Sequence, residues 1–229
     1  MGSEHGRLVG RRALITGAAR GIGAEIAATF HREGAELALL DIDVDRLRAT
    51  GDALGASVHG VDLADTEATV EVVHRAIDDL HGLDILVNNA GILKMAPLME
   101  IDPADWDLTF AVNVRAMLVT TQVAAKAMIP NGRGTIINMA SMGGKVGAPN
   151  QAHYAASKAA VISLTQALAE ELGPMNITRS SHRCSGYRRI ACSRSSSRAS
   201  RTSTGRRRPK RSPTLPCTSA APTTSPGSP

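Results

Sequence analysis

The chain is expected to fold as an α/β domain, a doubly wound parallel sheet with helices on both faces. Three observations point to it. Short apolar runs alternate with helical patterns up to residue 172. A glycine-rich turn, Gly17-Ala18-Ala19-Arg20-Gly21-Ile22-Gly23, separates the first apolar run from the first helical pattern. An acid, Asp41, closes the second apolar run about 20 residues further on, where a ribose-binding carboxylate belongs in such folds. A length of 229 residues suffices for one domain of this kind with a real core.

In chain order, Arg12-Ala13-Leu14-Ile15-Thr16 reads as a short buried strand. The turn after it opens a helical pattern through Ile26, Ala27 and Phe30, so backbone N–H groups and a helix N-terminus are presented together, an arrangement suited to phosphate. In that reading Gly17 permits the tight turn, Gly21 the close approach of a pyrophosphate, and Gly23 close packing of helix on strand. The spacing is G-x-x-x-G-x-G, which an ordinary strand-to-helix turn also allows. Glu36-Leu37-Ala38-Leu39-Leu40-Asp41 is the second strand. Asp41 can accept from ribose hydroxyls and would repel a 2′-phosphate, favouring NAD over NADP. Asp41 can also cap a helix, although Asp43 and Asp45 are equally placed to do so. Arg20, in the glycine turn, argues the other way because it can hold a 2′-phosphate.

Asp62, followed by Leu63, stands after the third strand, where a turn acid is ordinary. Asp84-Ile85-Leu86-Val87 is the fourth strand and runs into Asn88-Asn89-Ala90-Gly91. Asn113 lies in a helical run, Phe110-Ala111-Val112-Asn113-Val114, and Thr135 to Met139 form the fifth strand, just before Ser141. Ser141-Met142-Gly143-Gly144 also reads as a loop start capped by the serine. A sixth strand is expected from Met175-Asn176-Ile177-Thr178.

Between them lies Tyr154-Ala155-Ala156-Ser157-Lys158. On a helix, Tyr154 and Lys158 share a face. A free tyrosine keeps its proton at neutral pH, and an ammonium one turn away favours the phenolate. With the Ser141 hydroxyl near a substrate oxygen, the group suits proton exchange with an alcohol or carbonyl. Without its context, the pair also fits an amphipathic helix with a half-buried Tyr and a solvated Lys.

Set in this order and at these spacings, Thr16 to Gly23, Asp62, Asn88 to Gly91, Asn113, Ser141, Tyr154 and Lys158 resemble the short-chain dehydrogenase/reductases, over about residues 8–178. The resemblance implies a Rossmann-type catalytic domain in residues 1–178, using NAD, with NADP less favoured, and no metal. It implies catalytic roles for Asn113, Ser141, Tyr154 and Lys158. Tyr154 would be the proton-transfer group and Ser141 the hydrogen-bond donor to the substrate oxygen. Lys158 would bind the nicotinamide ribose, and Asn113 would hold a water linking Lys158 to solvent. The cofactor would lie against Gly17, Arg20, Gly21, Ile22, Gly23, Asp41, Asp62, Leu63, Asn89, Ala90, Gly91, Tyr154 and Lys158, with Asp62 toward the adenine amino group. A small alcohol or ketone substrate and a homo-oligomer in the intact family form are implied as well.

The net charge of +5 hides two different sequences. Residues 179–229 contain eleven Arg, one Lys and no acid, which leaves 14 basic and 21 acidic residues before them. Cys184, Cys192 and Cys217 all fall in this tail, and the cysteine-free body suggests a cytoplasmic protein. The tail holds Ile190 and Leu215 as its whole share of Leu, Ile, Val and Phe, so it is expected to be disordered. The change falls inside the expected sixth strand, which reads as a shift of coding frame. Arg183 to Ile190 can be encoded so that dropping one nucleotide yields Ala-Ala-Pro-Gly-Ile-Val-Glu, the Pro-Gly segment that the family shows there. The alternative is a real basic tail that binds nucleic acid or an anionic membrane. Aromatic content of 2% argues against stacking on single-stranded nucleic acid. No apolar run of membrane-spanning length and no apolar signal segment is read, so neither membrane nor nucleic acid is expected as a partner.

The expected function is hydride transfer between NAD(H) and a secondary alcohol or ketone: a polyol or sugar, a small diol, or a 3-oxoacyl substrate. The family's segment after the sixth strand forms the substrate lid, and here it is missing or scrambled. An inactive truncated form with partial cofactor binding is therefore the alternative, ahead of a nucleic-acid-associated protein.

Overall fold

The structure, a computed structural model, describes residues 6–183. Six parallel strands form one sheet in the order β3-β2-β1-β4-β5-β6. They are β1 (Arg12–Thr16), β2 (Glu36–Asp41), β3 (Ser57–Gly60), β4 (Ile85–Asn88), β5 (Gly134–Ala140) and β6 (Ile177–Arg183). The helices are α1 (Gly21–Arg32), α2 (Val44–Leu54), α3 (Thr66–Asp79), α4 (Pro103–Phe110), α5 (Ala116–Met128) and α6 (Ala152–Leu172). A π turn, Ala111–Arg115, joins α4 to α5. The chain reverses its winding between β1 and β4, so a crevice opens there at the carboxyl ends of the strands.

Strand alternation divides the core between the two faces. Leu14, Leu40, Leu86 and Ile136 point to the face covered by α3 and α5, against Val72, Val73, Ala124 and Met128. Ala13, Ile15, Leu39 and Val87 point to the other face, against Ala27 of α1 and Leu47 of α2. Both faces are covered, which is why the central strands β1, β2 and β4 are mostly apolar. Three aspartates start helices by accepting backbone N–H groups: Asp43 from Arg46, Asp65 from Ala68 and Asp102 from Ala104. Asp43 thus does the capping for which Asp41 was the other candidate.

Inside the core, Thr120 donates to Asn88 Oδ1 at 2.6 Å, and Asn88 Nδ2 donates to Thr121 Oγ1 and Asn138 Oδ1. Asn138 Nδ2 donates in turn to Thr165 Oγ1 at 3.0 Å. These buried groups satisfy one another and fix β4, β5, α5 and α6 in register. The continuous helical run Pro103–Asn131 is long and apolar enough to cross a bilayer by length and composition, but 61% of its apolar window is buried inside the fold. Packed against α3 and the sheet, it is a core helix.

The sixth strand corrects one expectation. It does not fail at Thr178: β6 pairs in parallel along the whole of β5, from Gly134↔Ile177 to Ala140↔Arg183. The physical reason is that the ladder is made by backbone groups, which Thr, Arg and Ser supply as well as Val does. Ile177, 1% exposed, anchors the strand in the core. The change of composition inside the expected sixth strand therefore leaves β5 paired along its whole length. Residues 184–229, with the three cysteines and most of the segment read as out of frame, lie outside the described residues.

Candidate active site

The crevice has a volume of about 640 Å³. It is lined by the turn after β1 (Gly17, Arg20, Gly21, Ile22), by Asp41 after β2, by Asp62 and Leu63 after β3, and by Asn89, Ala90 and Gly91 after β4. Ile42, Val61, Ile92, Leu108 and Val112 complete its wall and had no signal in the sequence beyond being apolar. Gly17 and Gly21 have φ of +67° and +60°, the left-handed region that favours glycine. A Cβ at Gly21 would meet nothing within 4 Å, so its backbone is open to a ligand. Gly23 acts differently, since a Cβ there would lie 2.0 Å from the Gly17 carbonyl oxygen and 2.6 Å from Asn89 Nδ2. Gly23→Ala is expected to cost about 1–3 kcal/mol and to weaken dinucleotide binding. Urea unfolding and NAD titration check this, and an unchanged midpoint would show that the turn does not hold this packing.

The glycine turn is tied down from two sides. Asp41 Oδ2 accepts the Ala19 N–H at 2.9 Å, and its Oδ1 accepts the Asp43 N–H at 3.0 Å. Asn89 Nδ2 donates to the carbonyls of Thr16 and Gly17 at 3.1 and 2.9 Å. The Thr16 hydroxyl accepts the N–H groups of both Asn89 and Ala90 at 3.1 Å, a structural role that the sequence did not reveal. Asp62 Oδ1 accepts the Ala64 N–H at 2.9 Å, the turn that an acid at a strand end usually makes. No acid stands in the first turn of α1, and no side chain caps it, so its N-terminal N–H groups face the crevice without a competing anion.

The four residues expected to be catalytic come together at the end of β5. Lys158 Nζ donates to the Met139 carbonyl at 2.8 Å and lies 5.9 Å from the centroid of the Tyr154 ring. A Cβ on Gly143 would be 3.5 Å from both Ser141 Oγ and Tyr154 Cε1, so the serine and the tyrosine flank one glycine. Ser141 Oγ accepts the Gly143 N–H at 3.1 Å, so it does cap the short turn after β5. A Cβ on Gly91 would be 3.1 Å from Asn113 Oδ1 and 3.2 Å from Lys158 Nζ, which links the crevice to the lysine and the asparagine.

Asn113 sits in the π turn, and its side chain bridges elements. Its Oδ1 accepts the Ile92 N–H at 2.8 Å, and its Nδ2 donates to the Ile92 carbonyl and to Ser157 Oγ, each at 3.0 Å. Ser157 donates to the Tyr154 carbonyl at 2.7 Å. Ser157 is therefore a positioning link between Asn113 and the helix that carries Tyr154, visible in hindsight from its place three residues after the tyrosine. His153 is fully buried on the same stripe of α6, and both its ring nitrogens lack a hydrogen-bond partner among the described residues.

Comparison with known proteins bears on the family and the fold. The family profile of short chain dehydrogenases matches residues 11–198. Sorbitol dehydrogenase of Cereibacter sphaeroides is 45% identical over 163 residues, 70% of this chain and 64% of that protein. Nodulation protein G of Rhizobium meliloti (strain 1021) is 39% identical over 173 residues, covering 75% of this chain and 71% of its own. The chain thus spans about two thirds of the length of these relatives. Among solved structures, a metagenomic short-chain oxidoreductase in complex with NADP superposes with a TM-score of 0.75 at 35% identity, covering 79% of this chain and 84% of that one. A profile match of this extent, joined to a solved relative with the same sheet, places the chain in the short-chain dehydrogenase/reductase family.

Proposed function

We propose that the chain is an oxidoreductase that moves a hydride between NAD(H) and a secondary alcohol or ketone, with Tyr154 as the proton-transfer group. The observation that carries this is the convergence of Ser141, Tyr154 and Lys158 at the end of β5, reached from the crevice through Gly91. The crevice fits a dinucleotide on three counts: the open backbone at Gly21, the acid-free start of α1, and Asp41 at the end of β2.

A bound nicotinamide supplies the hydride acceptor or donor. The chain supplies the proton path and the position. In the oxidation direction, Tyr154 as phenolate takes the alcohol proton, and the Ser141 hydroxyl donates to the substrate oxygen as its charge develops. The Lys158 ammonium, fixed by the Met139 carbonyl and standing beside the Tyr154 ring, would bind the nicotinamide ribose. Asn113 holds Ile92 and Ser157 in place and is assigned the water link from Lys158 to solvent. In reduction these roles reverse.

A polyol or sugar is the first substrate class to test, because a relative is named sorbitol dehydrogenase; small diols and 3-oxoacyl thioesters follow. NAD-dependent turnover by the full-length protein in one of these classes supports the proposal. NAD binding with turnover in none identifies the second reading, a truncated family member that keeps only partial cofactor binding. The composition of residues 179–229 favours that reading, because it offers no counterpart to the family's substrate lid. The out-of-frame origin of that segment is part of the proposal, as is the homo-oligomer of the intact form. The coding sequence around Thr178 decides the first of these.

Asp41 is assigned the choice of NAD over NADP. Asp41→Ser should raise the ratio of NADP to NAD affinity by at least about tenfold, through relief of charge repulsion at the 2′ position. Equilibrium titration with both cofactors measures it. Tighter NADP than NAD binding by the unmutated protein would remove Asp41 from that role and assign the 2′-phosphate to Arg20.

A further inference from the structure

At the opposite pole of the sheet, the amino ends of β1, β4, β5 and β6 surround a second cavity of about 400 Å³. Its wall includes Arg7, Arg11, Arg133, Asp84, Thr135 and Thr178. The Asp84 side chain is 4% exposed and is the internal anchor of this cluster. Its Oδ2 accepts from Arg12 Nε at 2.8 Å and from the Arg12 backbone N–H at 3.1 Å. Its Oδ1 faces Arg133 Nη2 at 3.2 Å and Arg11 Nη1 at 3.7 Å. Arg12 turns a further N–H to the His81 carbonyl.

The charges at this pole do not balance. Asp84 meets three guanidinium groups, and Arg7 adds a fourth at the cavity wall. Two further carboxylates stand close by outside the cavity wall: Glu33, which accepts the Arg7 backbone N–H at 2.8 Å, and Glu36, the register partner of Arg12 on β2. Along the cavity wall itself, Arg7, Arg11 and Arg133 face one carboxylate, Asp84, an excess of two positive charges. The donors do not balance either, because each guanidinium carries five N–H groups and one carboxylate has about four lone-pair sites. The side chains of Arg11 and Arg133 are 43% and 56% exposed, so donors that Asp84 does not use face the cavity. On the floor, Thr135 Oγ1 and Thr178 Oγ1 lie 3.3 Å apart, and Thr178 Oγ1 donates to the Gly134 carbonyl at 3.2 Å. Residues 179–229 contain no Asp or Glu, so that segment brings no acidic side chain of its own to such a site.

We propose that this pole is a second binding site, separate from the dinucleotide crevice, which takes a small phosphate-class oxyanion such as a diphosphate group. Planar guanidinium forks bind phosphate oxygens in pairs, and the Thr135 hydroxyl can turn its proton from Thr178 to a ligand oxygen, while Thr178 stays bonded to the Gly134 carbonyl. Arg12 is the fixed member, held by Asp84; Arg7, Arg11 and Arg133 are the ligand-facing ones.

The test uses the full-length protein saturated with NAD, so that the crevice is filled. Pyrophosphate is titrated calorimetrically at low ionic strength, with Arg11→Gln/Arg133→Gln and Arg7→Glu as variants. One saturable site is expected, weakened at least about tenfold in each variant, as loss of charge-assisted hydrogen bonds to a ligand predicts. NAD affinity should be unchanged, which also reports that the variants are folded. Arg7→Glu keeps the test decisive should the double variant fail to fold, because it leaves every contact of Asp84 in place. Methyl diphosphate binding more weakly than pyrophosphate identifies a free anion as the ligand, and tighter binding identifies an esterified diphosphate end. Binding that survives both variants resides elsewhere, in the basic residues after Thr178 for example, and overturns the proposal. Competition with NAD, or the absence of saturable binding, overturns it too.

Discussion

Replacing Tyr154 with phenylalanine is expected to lower turnover by about 10²–10⁴-fold while leaving NAD affinity within about twofold, since a general acid–base group typically contributes that much. The substitution removes one hydroxyl and keeps the ring beside Gly143 and Lys158. Its backbone carbonyl still accepts from Ser157, so the link to Asn113 persists. Loss of rate with retained binding is therefore a statement about the proton. Lys158→Ala should behave differently: the Met139 carbonyl loses its ammonium donor, and both turnover and cofactor affinity should fall. The comparison is made in a protein that turns over alcohol, with the coding frame restored after Thr178 if the written chain does not. Turnover of the Tyr154 variant within a few-fold of the parent would remove Tyr154 from the chemistry, and equal effects of the two substitutions on binding would merge their roles.

How much of this could be read from the residues depends on the range of the force involved. The alternation of Ala13 and Ile15 with Leu14, the positive-φ glycines at 17 and 21, and the caps at Asp43 and Asp65 are local, and local chemistry is written in local sequence. The convergence of Ser141, Tyr154 and Lys158 follows once the sheet order is known. The π turn at Asn113 was not legible, because Phe110 to Val114 contain no breaker; the turn is imposed by the bonds from Asn113 to Ile92 and Ser157 on other elements. Nor was the length of β6. Residues 178–183 carry no apolar signal, and the strand extends because the backbone edge of β5 accepts it. The arginine cluster around Asp84 was invisible for a third reason. Arg12 and Asp84 are 72 residues apart, and only the parallel pairing of β1 with β4 brings them together.

That cluster sets the second large effect. Asp84→Asn is expected to destabilise the fold by about 3 kcal/mol at neutral pH, the lower part of the range for breaking a buried ion pair from one side. The lower part applies because the Arg12 side chain is 23% exposed and recovers some hydration. The amide can still accept one hydrogen bond, but the charge that holds Arg12, Arg133 and Arg11 at the start of β1 and β5 is gone. Burial by itself pushes the Asp84 carboxyl up; the hydrogen bonds from Arg12, with the charges of Arg12 and Arg133, outweigh it and hold the group below the usual carboxylate range. A carboxyl depressed in the native state binds fewer protons there than in the unfolded chain, so the stability it contributes rises with pH. That contribution is complete above the ordinary aspartate value of ~3.9 and is lost as pH falls through the lower native value. The parent and the Asn variant should therefore differ most at neutral pH and converge in acid, the parent losing stability more steeply on the way down. Urea unfolding at a series of pH values measures both curves. A constant gap across that series would mean that packing, not the Asp84 charge, sets the cost, and a gap near zero at neutral pH would mean that the three arginines stabilise the pole without it.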